Sequence, residues 1–459
     1  MESNDTIAAL ATPFGYSGIG IIRISGPQAR EIMGIIFRPS QNTTSFHSHT
    51  LYHGNILSPE TGRVIDEALL CLMEKPHSYT GEDVVEINCH GGPLIIQTIL
   101  KTLFFLGVRL ADPGEFTKRA FLNNRMDLAK AEAVLDLIQA KTEEGVWQSV
   151  SRLKGSLHQE WSDIREEIIN TIAVLEGSID FSDEDTTGEE TAVTASRIDH
   201  ILERITLLLD SYSRGKVMRD GVRVLIMGKP NVGKSSLLNS LLASERAIVT
   251  PFPGTTRDFI EEAIQIDDIP VTFIDTAGIR QTPDTIEEQG IIRVWEKLNE
   301  ADLVLLMFDG SRTIDDDDRL VLEKTQGKKR ILLINKTDLP LLIQATDFPS
   351  MGAIEKPLLI SAKFKTGLSS LLEEISHLVA LDASLHRETV SISRLRHVDI
   401  LQRVAENLQR ARKNLHEDFS LEIAVVDLQD ALFSLDELSG KGLPEEVLGR
   451  IFSQFCIGK

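Results

Sequence analysis

Eight consecutive residues, Gly228-Lys229-Pro230-Asn231-Val232-Gly233-Lys234-Ser235, have the glycine spacing and the closing Lys-Ser pair of a phosphate-binding loop. In such a loop the backbone N–H groups from Asn231 and Val232 through Gly233 to Ser235 and Ser236 turn toward phosphate oxygens. The Lys234 ammonium spans the β- and γ-phosphates, and the Ser235 hydroxyl ligates Mg²⁺. Asp275-Thr276-Ala277-Gly278 starts 41 residues after Lys234. It supplies a carboxylate for Mg²⁺ through water and the Gly278 N–H for the γ-phosphate. Asn335-Lys336-Thr337-Asp338 adds the Asp338 carboxylate, which can accept from guanine N1 and N2, donors that adenine lacks. In Ser361-Ala362-Lys363 a backbone N–H faces guanine O6. Each piece alone is ordinary loop chemistry, but all four in this order read as a GTP site.

Two features depart from the common hydrolytic arrangement. Ile279 follows Gly278, where Ras-like enzymes carry the glutamine that orients the attacking water. Glu287, with Glu288 beside it, is the candidate replacement; the same carboxylates would equally suit the first turn of a helix over 286–298. Asn231 offers a side-chain carbonyl where other systems use an arginine finger. The turn-rich Thr250-Pro251-Phe252-Pro253-Gly254-Thr255-Thr256-Arg257-Asp258 can add backbone carbonyls for a monovalent-cation cage and the Thr256 hydroxyl for Mg²⁺. Potassium in the finger's role is the expectation, with a plain rigid turn as the other reading of Pro-Phe-Pro-Gly.

These loops need strands to hold them. VRVLIM precedes the phosphate loop and SLLNSLL follows it, while VTFI, ILLI and PLLI precede the other three motifs. That alternation, from 222 to about 379, predicts a mostly parallel sheet covered on both faces. From 19 to 110, short β-rich runs such as IGIIRIS and DVVEINCHGG alternate with QAREIMGIIF and PLIIQTILKTLFFLG, which predicts a mixed α+β domain. Leu128, Ala131, Leu135 and Ile138 recur at helical spacing, and helical patterns continue over 161–175, 198–209, 398–415 and 421–435. The economical reading is a helical domain interrupted by an inserted α/β domain. The acid-dense stretches 180–190 and 315–318 read as solvated loops or helix ends, since the ligand pattern of a calcium loop is missing.

With 459 residues the chain has room for several domains, and its net charge of −21 gives it no global footprint for a polyanion. Any RNA contact must then be local or shared with a partner. Arg396, Arg403 and Arg410 recur every seven residues along one side of a predicted helix, either as a phosphate-contacting stripe or as a solvated face. Cys71, Cys89 and Cys456 show no paired spacing for zinc or disulfides. The start MESNDTIAAL has no signal-peptide pattern and the apolar runs are short, so a cytoplasmic protein with no membrane span is expected.

The α/β region resembles the translation-factor-like GTPases. GKPNVGKSSLLN, TPFPGTTRD, DTAGIR, DTIAALATPFG, GIGIIRISG, SYTGEDVVEINCHGG, PGEFTKRAFLN and the final Cys456-Ile457-Gly458-Lys459 together make the whole chain similar to the tRNA-modification GTPase family MnmE, also called TrmE. The resemblance implies a multidomain fold: an N-terminal α+β folate-binding-like and dimerisation domain (1–120), a discontinuous helical domain (121–215 and 380–459), and an inserted Ras-like P-loop GTPase domain (216–379). It implies a homodimer whose GTP hydrolysis is potassium-activated and coupled to pairing of the GTPase domains. With the flavin-dependent partner MnmG (GidA), in a heterotetramer, such a protein adds an aminomethyl or carboxymethylaminomethyl group to C5 of the wobble uridine of certain tRNAs. The implied cofactors are K⁺, Mg²⁺ and a reduced folate, 5-formyl- or 5,10-methylene-tetrahydrofolate. By carry-over, Asn231, Thr250, Phe252 and Thr255 bind K⁺ and Glu287 positions the water. Arg23, Glu82, Arg125 and Lys459 form the folate pocket. Cys456 reads as packing or pocket lining in preference to a nucleophile, and Cys89-His90-Gly91-Gly92 as a strand-ending turn.

Two other functions stay open on the residues alone. A ribosome-assembly or regulatory GTPase switch would use the nucleotide site without modification chemistry, and a one-carbon enzyme would use GTP only for regulation.

Overall fold

A computed structural model describes residues 5–41, 45–180, 188–243, 261–267, 269–275, 295–343, 347–348, 356–383, 390–416 and 421–459. The chain divides into two compact units. One comprises Met1–Ile138, Val150–Ile201 and Arg403–Lys459, and the other Gln139–Ser149 and Leu202–Gln402.

The first unit contains a seven-stranded sheet built from β1 (Ile7–Leu10), β2 (Ser17–Ser25), β3 (Phe37–Pro39), β4 (Thr50–Leu57), β5 (Val64–Met73), β6 (Val84–Gly91) and β7 (Arg109–Leu110), in the order β3-β4-β5-β6-β2-β1-β7. Its pairs are antiparallel except β1 with β7. Period-two alternation explains the burial: Ile22 and Ile24 of β2, and Ala68, Leu70 and Leu72 of β5, point to one face. The helices Ala29–Ile36 and Pro93–Phe105 cover that face with Ile32, Met33, Ile36, Ile96, Ile99 and Leu103. Each such buried aliphatic side chain contributes roughly 1.5–3 kcal/mol of transfer free energy. Cys89 and His90 lie within β6, so the segment expected to be a turn is still paired strand.

The unit's helical part includes Leu128–Gln139, Ser156–Asp180, Leu421–Asp436 and Glu445–Phe452. Leu128, Ala131 and Leu135 pack with Leu448, Phe452 and Phe455, but Ile138 ends that stripe exposed. The helices over 156–180 and 421–436 pack against each other and are tied by Arg165 to Asp436 at 2.7 Å.

The second unit carries β8 (Val222–Met227), β9 (Glu261–Ile266), β10 (Ile269–Asp275), β11 (Leu303–Asp309), β12 (Arg330–Asn335) and β13 (Leu358–Leu359). Their order is β13-β12-β11-β8-β10-β9, all parallel except the antiparallel edge strand β9. This is the strand arrangement of Ras-like GTPases. Alternate residues feed two separate cores: Val224, Ile226, Leu303, Leu305 and Met307 enter one, while Leu225, Met227, Val304, Leu306 and Phe308 enter the other. Burial on both faces is why these strands read as continuous apolar runs. Asp315 and Asp318 form a reciprocal cap on the helix Asp316–Lys324, so the acidic run is a helix start. Among the described residues no helix is long and apolar enough to cross a membrane.

Candidate functional site

In the second unit the phosphate loop joins the end of β8 to the helix Lys234–Leu242. Gly233 needs its φ of 104°, and a Cβ there would collide with the Asn335 amide. Asn231 also adopts a left-handed φ, 64°, and is exposed. The Lys234 side chain is almost buried, and its ammonium donates to the carbonyls of Gly228 (2.9 Å) and Lys229 (2.8 Å). Lys229 pairs with Asp315, and with Asp318 at 3.3 Å. These carboxylates outweigh partial burial and raise the Lys229 pKa.

The base-recognition motifs converge on Asn335. Its Nδ2 donates to the Val232 carbonyl at 2.7 Å, and its Oδ1 accepts from the Ala362 N–H at 2.9 Å. One buried amide thus links the phosphate loop to Ser361-Ala362-Lys363. Lys336 reaches Asp309 at 2.6 Å, and Ser361 Oγ donates to Asp338 Oδ1 at 2.6 Å while Asp338 itself is exposed. For Asp309, burial alone would raise the pKa; Lys336 and Ser311 overcome it and hold the carboxyl below the usual range. The Asp275 backbone is in register with Ile226 of β8, which places it at the same sheet edge as the phosphate loop. Thr250, Pro251, Phe252, Pro253, Gly254, Thr255, Thr256, Thr276, Ala277, Gly278 and Glu287 lie outside the described residues.

In the first unit, β2 and β6 set Arg23 opposite Glu86, and the two pair at 2.8 Å. Arg23 also donates to the Gly458 carbonyl at 3.1 Å and lies 5.2 Å and 5.7 Å from the ring centres of Tyr79 and Phe116. The final segment is held by Gly114 and Phe116, whose N–H groups donate to the carbonyls of Cys456 (3.4 Å) and Lys459 (3.2 Å). Gly458, at φ 94°, lies so close to Leu10 that a side chain would not fit. Burial, then the Arg23 charge, holds the Lys459 ammonium below the usual lysine range. Cys456 is exposed, so it is not a packing residue.

Glu82 sits in an adjoining network. It accepts from Ser25 Oγ at 2.7 Å and pairs with Arg119 at 3.2 Å. Arg125 Nε donates to the Ser78 carbonyl at 3.1 Å. The loop 78–82 therefore contains Glu82 and touches Arg23 through Tyr79 and Arg125 through Ser78, while Lys459 joins the cluster through the Phe116 N–H. Reading the sequence missed Glu86, Tyr79, Phe116 and Arg119. Glu86 had a signal in the alternation of β6, and Arg119 had one in Glu115 four residues earlier on the same helix, but its partners Asp5 and Glu82 come from distant segments that no local pattern links to it.

The chain matches the family model for the GTP-binding protein TrmE N-terminus over residues 6–125 and the model for the MnmE helical domain over residues 128–456. The chain belongs to the MnmE family. Relatives named tRNA modification GTPase MnmE include those of Syntrophus aciditrophicus, 48% identical with 99% of both chains covered, Natranaerobius thermophilus, 43% identical with 100% of both covered, and Geobacter sulfurreducens, 44% identical with 100% of both covered. As an MnmE-family protein it is a GTPase that takes part in tRNA modification.

Two of the three arginines of the predicted stripe are paired within their own unit. Arg403 pairs with Glu437 at 2.6 Å and Arg410 with Asp427 at 3.3 Å, so carboxylates of the same unit already occupy two of its three charges.

Proposed function

We propose that the protein hydrolyses GTP with K⁺ as activator. With a flavin-dependent MnmG-type partner it installs an aminomethyl or carboxymethylaminomethyl group at C5 of the wobble uridine of certain tRNAs. The one-carbon unit comes from a reduced folate, and the protein works in the cytoplasm as a homodimer that joins this partner in a heterotetramer. The domain division given above, at 1–120, 121–215, 216–379 and 380–459, belongs to the same reading. The observation that carries it is the meeting of Arg23, on the interior strand β2 of the N-terminal sheet, with Tyr79, Phe116 and Lys459. Two aromatic rings, a carboxylate-paired guanidinium and a half-buried ammonium suit a flat heteroaromatic ring that carries an acidic tail.

The nucleotide site's donors also fit hard cations. Ser235, and Thr256 with it, supply hydroxyl oxygens for Mg²⁺; Asn231 with the Thr250, Phe252 and Thr255 oxygens supply those for K⁺. When bound, these ions place positive charge on the phosphate oxygens. The chain's own residues do the rest. The loop N–H groups of Asn231 to Ser236, together with Thr276, Ala277 and Gly278, orient the phosphates, and Lys234 adds a fixed charge. Asn335, Lys336, Asp338, Ser361, Ala362 and Lys363 hold the guanine. Glu287 orients the attacking water. In the N-terminal cluster Arg23, Glu82, Arg125 and Lys459 hold the folate, whose contribution is the one-carbon unit.

Turnover measured in KCl is expected to exceed that in NaCl by about tenfold or more, a fraction of what an arginine finger supplies. Asn231→Ala is expected to abolish the difference, and equal rates in both salts for the unaltered protein would reject K⁺ activation. Nucleoside analysis of tRNA from cells lacking the protein should show loss of the C5-substituted wobble uridine. An unchanged nucleoside profile would reject the modification reading and leave the regulatory switch and the GTP-regulated one-carbon enzyme.

A further inference from the structure

We propose that a cavity of the first unit, framed by Phe121, Arg125, Lys130, His158, Trp161 and Lys441, receives an oligo-γ-glutamate tail on the reduced folate. This rests on the folate reading above. The cavity encloses about 610 Å³, a volume suited to a small ligand and not to an RNA duplex.

Its charge pattern is unusual for a chain with 69 acidic and 48 basic residues. Both carboxylates of the lining are committed: Asp127 lies 2.7 Å from His158 and Asp436 lies 2.7 Å from Arg165. The charged ends of Arg125, Lys130 and Lys441, by contrast, meet no carboxylate among the described residues. Arg125 and Lys441 are exposed and Lys130 is half-buried, so three cations stand at one cavity where an anionic chain can meet all of them. Phe121 and Trp161 give the cavity an apolar wall, and the Phe121 ring occupies the space a side chain at Gly440 would need.

Arg125 joins this cavity to the expected folate cluster. Its Nε bonds the Ser78 carbonyl, and its stem lies against Gly81, next to Glu82. A folate whose ring end lies by Arg23 and Glu82 would thus pass its glutamate end by Arg125 toward Lys130 and Lys441. Successive α-carboxylates on a flexible amide chain suit lysine, which acts as a point charge without strict geometry.

The test compares monoglutamyl and triglutamyl 5-formyl-tetrahydrofolate by calorimetry on the full-length protein at low salt. The triglutamate is expected to bind about tenfold tighter, since each partly exposed ion pair adds only a few-fold. That advantage should shrink with added KCl. In Lys130→Glu/Lys441→Glu it should vanish while monoglutamate affinity stays within about twofold. Lys130→Gln/Lys441→Gln, checked for an unchanged unfolding midpoint, repeats the comparison without new repulsion. Equal affinity for both ligands in the unaltered protein overturns the tail site and leaves the folate reading standing. Binding of neither overturns both. If the double variant keeps the triglutamate advantage and loses tRNA affinity instead, the cavity serves RNA and the proposal fails.

Discussion

Asp338→Asn is expected to weaken GTP binding by about 10²- to 10⁴-fold and to shift turnover to xanthosine triphosphate. Two hydrogen bonds to a charged acceptor are lost, each worth roughly 1.5–3 kcal/mol, and about 1.4 kcal/mol corresponds to a factor of ten. The asparagine N–H₂ also faces the guanine amino group donor to donor, whereas the carbonyl at that position of xanthine accepts from it. The surrounding structure favours a change of base preference over a folding defect. Asp338 is exposed, and its partner among the described residues, the Ser361 hydroxyl, can donate equally to an asparagine carbonyl. The loop is held independently by the Lys336 and Asp309 pair and by the two hydrogen bonds of Asn335. Equilibrium binding of fluorescent GTP and XTP analogues checks this. Unchanged GTP affinity in the variant would show that the guanine edge is read elsewhere.

The second large effect concerns stability. Arg119 is 3% exposed and bonds the Asp5 carbonyl at 2.9 Å, the Asp5 carboxylate at 2.7 Å, Glu115 at 3.0 Å and Glu82 at 3.2 Å. Removing it by Arg119→Ala takes the charge partner from Glu82 and leaves Asp5 and Glu115 to Arg109 alone. The expected cost is about 3 kcal/mol, the low end of the range for deleting one partner of a buried charge network, because Arg109 still compensates two of the carboxylates. Denaturant unfolding, read by hydrogen exchange of the β1 and β2 amides, measures it. A change below about 0.5 kcal/mol, the size of an ordinary surface substitution, would remove Arg119 from any structural role.

The same network has a defined pH dependence. Burial would raise the pKa of Glu115 and Asp5, but hydrogen bonds from Arg109 and Arg119 outweigh it and lower both. Depressed carboxylates contribute stability that is complete above their unfolded values, about 4. That contribution is lost as the pH falls through the lower folded values. The gap between the unaltered protein and Arg119→Ala should therefore be widest near neutrality and narrow in acid.

Fluctuations in local pattern were enough to locate the nucleotide site. The phosphate loop and the Asn335 motif follow strands buried on both faces, and such strands announce themselves as unbroken apolar runs: VRVLIM and RILLIN are almost wholly buried, whereas the two-residue β13 ahead of Ser361 leaves Leu359 exposed. A parallel sheet then brings the ends of its strands to one edge, so the linear order of the motifs already implies a shared site. The helix stripe over Leu128, Ala131 and Leu135 was legible for a similar reason, because 3.6-residue periodicity is a local property.

Charge partnerships were another matter. Arg23 meets Gly458 across 435 residues of sequence, and Arg403 meets Glu437 on a different helix. Nothing in a single segment distinguishes an arginine that faces water from one that a distant carboxylate has claimed. The amino-acid sequence by itself determined the nucleotide chemistry and the α/β frame, since both arise from neighbours along the chain. Which arginines are paired, which carboxylates are depressed and where Arg125, Lys130 and Lys441 gather around one cavity were decided only by tertiary packing, because Coulomb energy depends on distance in space.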